Sequence, residues 1–197
     1  MKVTTLAALL LAYCILVACT RTSPNAQLVQ ADSLMQKSPD SALHFLEKIY
    51  PEKLKSLEDQ AYYALLVTQA QDKNYIFQEN DSLIRVAVQY YDSIKSTSMQ
   101  AKAHYYWGCI WRNREIYPQA LSRFFTAISY AQKTSDHKLT GYIYNNIANL
   151  YFLQKLYEQA DSIYQITEKI AIQEKDSGLW ADALSQRGMI AIDRGKE

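Results

Sequence analysis

Three features of the sequence agree on an all-α fold. Breakers are few: 197 residues carry only five glycines and four prolines, too few for the many tight turns of a β protein. No stretch sustains the two-residue alternation of a half-buried strand. Small and aromatic residues recur at a fixed step of forty positions, the mark of stacked repeats. Hydrophobic residues make up 49% and charged residues 21% of the chain, an ordinary globular composition.

In chain order, residues 1–18 stand apart. Lys2 gives a short positive start, and an apolar run follows from Leu6 to Ala18. That run is too short to span a bilayer comfortably, which takes roughly 20 residues, and fits the core of a signal peptide. It ends in Leu16-Val17-Ala18-Cys19 and then turns polar. This tetrapeptide resembles the lipobox of bacterial lipoproteins. The resemblance implies cleavage before Cys19, lipid on its thiol and amine, and a flexible tether over 19–25. An uncleaved anchor, or ordinary cleavage with Cys19 incidental, is the alternative. The segment after Cys19 has no acidic run, which by the same resemblance favours a periplasm-facing anchor in the cell envelope over outer-surface display.

Cleavage there removes Lys2 and Cys14. The 21 basic residues then fall level with the 20 acidic ones, so no strong field draws the chain to nucleic acid. With Cys19 lipidated, Cys109 stands alone and no internal disulfide is expected; it reads as a packed or groove-lining thiol.

A short divergent hairpin is expected over 26–57, with helices at about 26–36 and 39–50. Ser38 suits an N-cap, Pro39 the first helical position and Asp40 the first turn, and Pro51 ends the second helix. The repeats then run over 58–197. Tyr117-Pro-Gln-Ala-Leu-Ser-Arg-Phe124 aligns with Tyr157-Glu-Gln-Ala-Asp-Ser-Ile-Tyr164, and the same step relates Gly108, Ala148 and Gly188, and Trp111 to Tyr151. Helix pairs are expected at about 58–74 with 80–95, 98–114 with 118–134 and 138–154 with 157–175, followed by a last helix at 178–193. Small residues at Gly108, Ala120, Ala148 and Ala160 let two antiparallel helices approach, while Trp111, Phe124, Tyr151 and Tyr164 fill the gaps between them. One such unit buries little alone; stacked neighbours share a core.

This pattern resembles the tetratricopeptide repeat (TPR) family. Two departures stand out. The step exceeds the family's roughly 34 residues, and Asn80 and Thr167 occupy positions where small alanines are expected. The resemblance implies antiparallel helix hairpins stacked as a right-handed TPR-like solenoid, with the first helix of each pair lining a concave peptide-binding groove. By that resemblance the groove residues are Tyr62, Lys102, Tyr105, Arg112, Asn113, Tyr142, Asn145 and Asn149, with Leu65, Gln69, Cys109 and Phe152 in related positions. Asp182 and Gln186 stand where the family's clamp for carboxylate tails needs basic groups, so that ligand is not expected.

No catalytic constellation is visible. His44, His104 and His137 are scattered and read as surface or half-buried residues; no phosphate loop, metal-ligand spacing or nucleophile elbow occurs. Acidic pairs on exposed helix faces read as solvated charge. Neither an enzyme nor a cofactor is expected. The expected partners are a protein or peptide ligand in the groove and the membrane through lipid on Cys19. The alternative is the exported sensor portion of a longer signal-transduction or transcriptional regulator, because the apolar periodicity of the last helix (Leu184, Met189, Ile190, Ile192) asks for a further partner helix.

Overall fold

The computed structural model describes residues 25–195. The expected signal peptide and Cys19 lie outside them. The described chain forms nine α-helices and one short 3₁₀ turn, with no strand. They are α1 (Ala26–Leu34), α2 (Pro39–Leu46), α3 (Leu57–Lys73), α4 (Ser82–Ser93), α5 (Thr97–Asn113), α6 (Tyr117–Ala131), α7 (His137–Leu153), α8 (Tyr157–Gln173) and α9 (Ser177–Arg194), the turn being Pro51–Lys53. Sequential helices pack on one another, and α3 also touches α5 as α7 touches α9. The first helices of successive pairs thus lie side by side.

Helix ends repeat as regularly as the core. The N-cap positions of α3, α5, α7 and α9 are Ser56, Ser96, Asp136 and Asp176, one every forty residues. Three of them accept a backbone N–H: Ser56 from Asp59 at 3.0 Å, Asp136 from Leu139 at 2.9 Å and Asp176 from Leu179 at 3.1 Å. At the C-termini, Tyr75, Lys95, Glu115, Lys155 and Lys175 all take left-handed backbone, with φ between 54° and 59°. Each lets the next N–H reach back five residues, as Ile116 does to the Trp111 carbonyl at 2.9 Å and Leu156 to Tyr151 at 2.9 Å.

The expected helix boundaries need four corrections. The second helix stops at Leu46, ahead of Pro51, which instead opens the 3₁₀ turn. Ser38 occupies the N-cap of α2, but its hydroxyl makes no cap bond. The helix after Tyr117 stops at Ala131, because Thr134 Oγ1 donates back to the Ala131 carbonyl at 2.8 Å and accepts from the Asp136 N–H at 3.2 Å. Asn25, expected in the tether, already belongs to the fold: its side chain caps α1 and its N–H donates to Asp59 at 3.0 Å.

Ala120, Ala148 and Ala160 are fully buried. A Cβ on Gly108 would lie 2.5 Å from Cε1 of Phe124, so that ring fills the space a side chain would need. Gly188, at the same step, differs from Gly108. Its position on α9 has nothing within 4 Å, because no helix covers that face among the described residues.

These two glycines provide an internal contrast. Gly108→Ala should lower stability by about 1–3 kcal/mol through overpacking. Gly188→Ala should raise it by up to about 1 kcal/mol through helix propensity alone. Urea denaturation of the two variants reads both signs.

Candidate functional site

A groove of about 910 Å³ runs along the face formed by α3, α5 and α7, reaching Asp182 on α9 and the turn between α1 and α2. Of the residues expected there, Lys102, Tyr105, Arg112, Asn113, Tyr142, Asn145 and Asn149 line it. Tyr62 does not. Its hydroxyl donates to Asp32 Oδ2 at 2.7 Å, and its ring packs on the N-terminal hairpin, which covers that stretch of α3. Gln69 lines the groove, whereas Leu65 and Cys109 are buried beneath it.

The groove floor is organised by one ion pair. Arg112 Nη2 lies 3.1 Å from Asp72 Oδ1, and Nη1 donates to Asn146 Oδ1. Asn146 in turn donates to the Tyr105 hydroxyl at 3.4 Å and to the Tyr142 carbonyl at 2.9 Å. The chain of contacts thus crosses α3, α5 and α7. Burial raises the Asp72 carboxyl above its ordinary value, and Arg112 and Asn113 pull it back without cancelling the rise. Asp72 is thus a mostly buried carboxylate that the motifs of the sequence do not single out. It was legible only through the forty-residue step, which places Asp72 opposite Arg112.

The rims are also tied down. Lys102 lies 3.6 Å from Asp32 and Lys138 2.8 Å from Asp176, the latter carboxylate also accepting from Tyr142 at 2.9 Å. Burial and that bond push the Tyr142 hydroxyl up to about 12. Among the described residues Lys73 has no carboxylate within 4 Å, and its nearest partner is Gln36 Oε1 at 3.4 Å. Burial holds its ammonium below the ordinary value, as do the neighbouring charges of Lys138 and Lys102, against the pull of Asp72. Two buried acceptors in the groove wall, Gln69 Oε1 and Asn145 Oδ1, have no hydrogen-bond partner among the described residues.

The chemistry on offer is recognition through amides, hydroxyls and fixed charges. Burial pushes the Cys109 thiol far above its ordinary value, which leaves it a poor nucleophile. Among the described residues no group of three His, Cys, Asp or Glu side chains is placed to hold a metal ion. His104 corrects the expectation of a surface or half-buried residue. It is only 4% exposed, with its ring between Trp107 and Tyr130 and Nε2 3.5 Å from Asp92. Burial lowers its pKa, and Asp92 opposes that shift.

No protein-family model matches the chain, and neither does any curated protein or solved structure. No helix among the described residues is long and apolar enough to cross a membrane.

Removing the guanidinium isolates the Asp72 carboxylate. Arg112→Met should cost about 1–3 kcal/mol at pH 7, below the value for a fully buried pair because Arg112 is 30% exposed. An acid whose folded pKa is raised binds its proton more tightly when folded, so acid relieves the cost. The deficit against wild type should shrink as the pH falls toward 4. A deficit that stays constant across that range would remove Asp72 as its cause.

Proposed function

We propose that this chain is a non-enzymatic TPR-like scaffold, held by lipid on Cys19 in a bacterial cell envelope and facing the periplasm, whose groove binds a protein or peptide segment. The observation that carries the reading is the groove itself. It is continuous across three successive first helices, it is lined by Asn, Lys, Arg and Tyr side chains, and its floor is fixed by the Asp72–Arg112–Asn146 contacts. A rigid floor lowers the ordering cost of binding, and amide side chains offer donor and acceptor together to a main chain. The forty-residue step, with small residues set against rings, supports the solenoid. The Leu16–Cys19 tetrapeptide supports the tether.

Tyr105 and Asn149 are poor probes of this reading, because both serve the fold: Tyr105 is nearly buried, and Asn149 accepts from Tyr164. Ser98 is exposed in the first turn of α5 and lines the groove. A photo-crosslinking residue at Ser98 should capture a protein in producing cells that the same residue at exposed Ser122 on α6 does not. Equal capture at both positions, or none at Ser98, would remove the groove from the function.

The tether has its own test. The wild-type protein should partition into the detergent phase of a detergent–water extraction, and Cys19→Ala into the aqueous phase. Identical partitioning of the two would end the lipoprotein reading.

One observation favours a second reading, in which the array is the exported sensor portion of a longer regulator. Trp180, Leu184, Met189 and Ile192 of α9 are exposed, a face suited to a further packed helix. An open reading frame that stops at codon 197 would dispose of it.

A further inference from the structure

The hairpin of α3 and α4 differs from the two that follow it. Three residues join α5 to α6 and α7 to α8, and those second helices begin at Tyr117 and Tyr157. Forty positions before Tyr117 stands Phe77, yet α4 starts only at Ser82. Asn80 contributes to the delay: its side-chain oxygen accepts from the Ser82 N–H at 3.0 Å, so it caps the helix from outside. Residues 74–81 are left as a longer connection at the groove's edge.

That connection carries Tyr75, Ile76 and Phe77, exposed by 96%, 41% and 60%. Tyr75 and Phe77 line the groove. Tyr75 also holds left-handed backbone at φ 57°, a region unfavourable for a residue with a Cβ. The equivalent positions in the next two hairpins are Glu115 and Lys155, which are polar at the same φ. An aromatic ring at this position contributes neither packing nor solubility to the free protein. Rigid aromatic side chains at a groove's edge are the kind of group that anchors a ligand.

Lys73 lies two residues away on the same wall, with no carboxylate within 4 Å among the described residues. Lys102 and Lys138 repel it and are held by their own carboxylates. One helical turn earlier, Gln69 is 1% exposed and its Oε1 has no donor. Across the groove, Asn145 is 7% exposed and its Oδ1 likewise has none. Both residues line the groove, and an extended main chain presents N–H donors to one side at every second residue.

We propose that Tyr75, Phe77 and Lys73 form one specificity subsite, taking an extended polypeptide segment in which an aliphatic or aromatic side chain stands beside a carboxylate. The apolar side chain packs on the two rings, the carboxylate pairs with Lys73, and main-chain N–H groups are donated to Gln69 and Asn145. This rests on the reading of the groove as a peptide site and names the sequence it selects.

The test is selection of a phage-displayed random hexapeptide library on the immobilised full chain, with Ser98→Trp as a plugged groove. Peptides that bind wild type and not Ser98→Trp should be enriched in an apolar residue next to Asp or Glu. Tyr75→Gly combined with Phe77→Ser should weaken them by about tenfold or more and abolish the apolar preference. Its melting temperature should not fall, because the rings are exposed and glycine suits φ 57°. Lys73→Met should abolish the acidic preference alone. Groove-dependent peptides without the paired motif, or with affinity unchanged by the Tyr75/Phe77 variant, would overturn the subsite and leave the peptide groove standing. Binding indifferent to Ser98→Trp, or no binders at all, would overturn both.

Discussion

The structure depends on rings seated where a facing helix has almost no side chain. Phe124 of α6 lies against Gly108 of α5, so close that even a methyl group would not fit. Ala148 and Tyr164 share one fully buried cluster in the next hairpin. Dispersion and the removal of apolar surface from water make such contacts favourable only at close range. Ring and small residue are therefore selected together. With the hairpins set by these contacts, one face of α3, α5 and α7 is left to line the groove.

The freedom of that face explains why the groove is polar. A surface that packs against nothing gains nothing from leucine, whereas Asp72, Arg112 and Asn146 tie neighbouring first helices through charge and amide contacts. Buried ion pairs add little net stability after desolvation. Their value here is geometric: α3, α5 and α7 are held at one mutual setting by side chains that do not fill the space between them. Lys138 with Asp176 and Lys102 with Asp32 repeat this arrangement along the rim.

Much of this was legible in the sequence, and the remainder was hidden for identifiable reasons. The forty-residue step located α5, α7 and α8 to within a few residues, because apolar period, caps and small–aromatic pairs coincide there. Seven of the eight positions that the family resemblance implied line the groove. Tyr62 occupies the same register as Lys102 and Tyr142, but register does not reveal that α1 covers it. The end of α6 was misplaced because Thr134 competes for backbone hydrogen bonds, an effect that depends on side-chain conformation. Burial of His104 between Trp107 and Tyr130 was invisible because it needs residues from two helices. The recurring Ser56, Ser96, Asp136 and Asp176 were open to inspection, and a search for polar residues at the repeat step would have found them.

The left-handed turns bear on which features serve folding and which serve recognition. Glycine is the residue that such positions favour, yet all five carry side chains. At Lys95, Glu115, Lys155 and Lys175 the strain is tolerated for a charged, solvated group, which discourages a turn from becoming an apolar contact. Tyr75 incurs the same strain for a ring that water surrounds. At the left-handed position each unit serves as a control for the others, because the turn closes in the same way there and only the side chain differs. Folding accounts for what the hairpins share, namely the small–aromatic seat and the five-residue closure at the turn. It does not account for an exposed aromatic at the left-handed position of one hairpin only, beside an ammonium group with no carboxylate within 4 Å among the described residues, and that difference is what locates selectivity at the α3–α4 end of the groove.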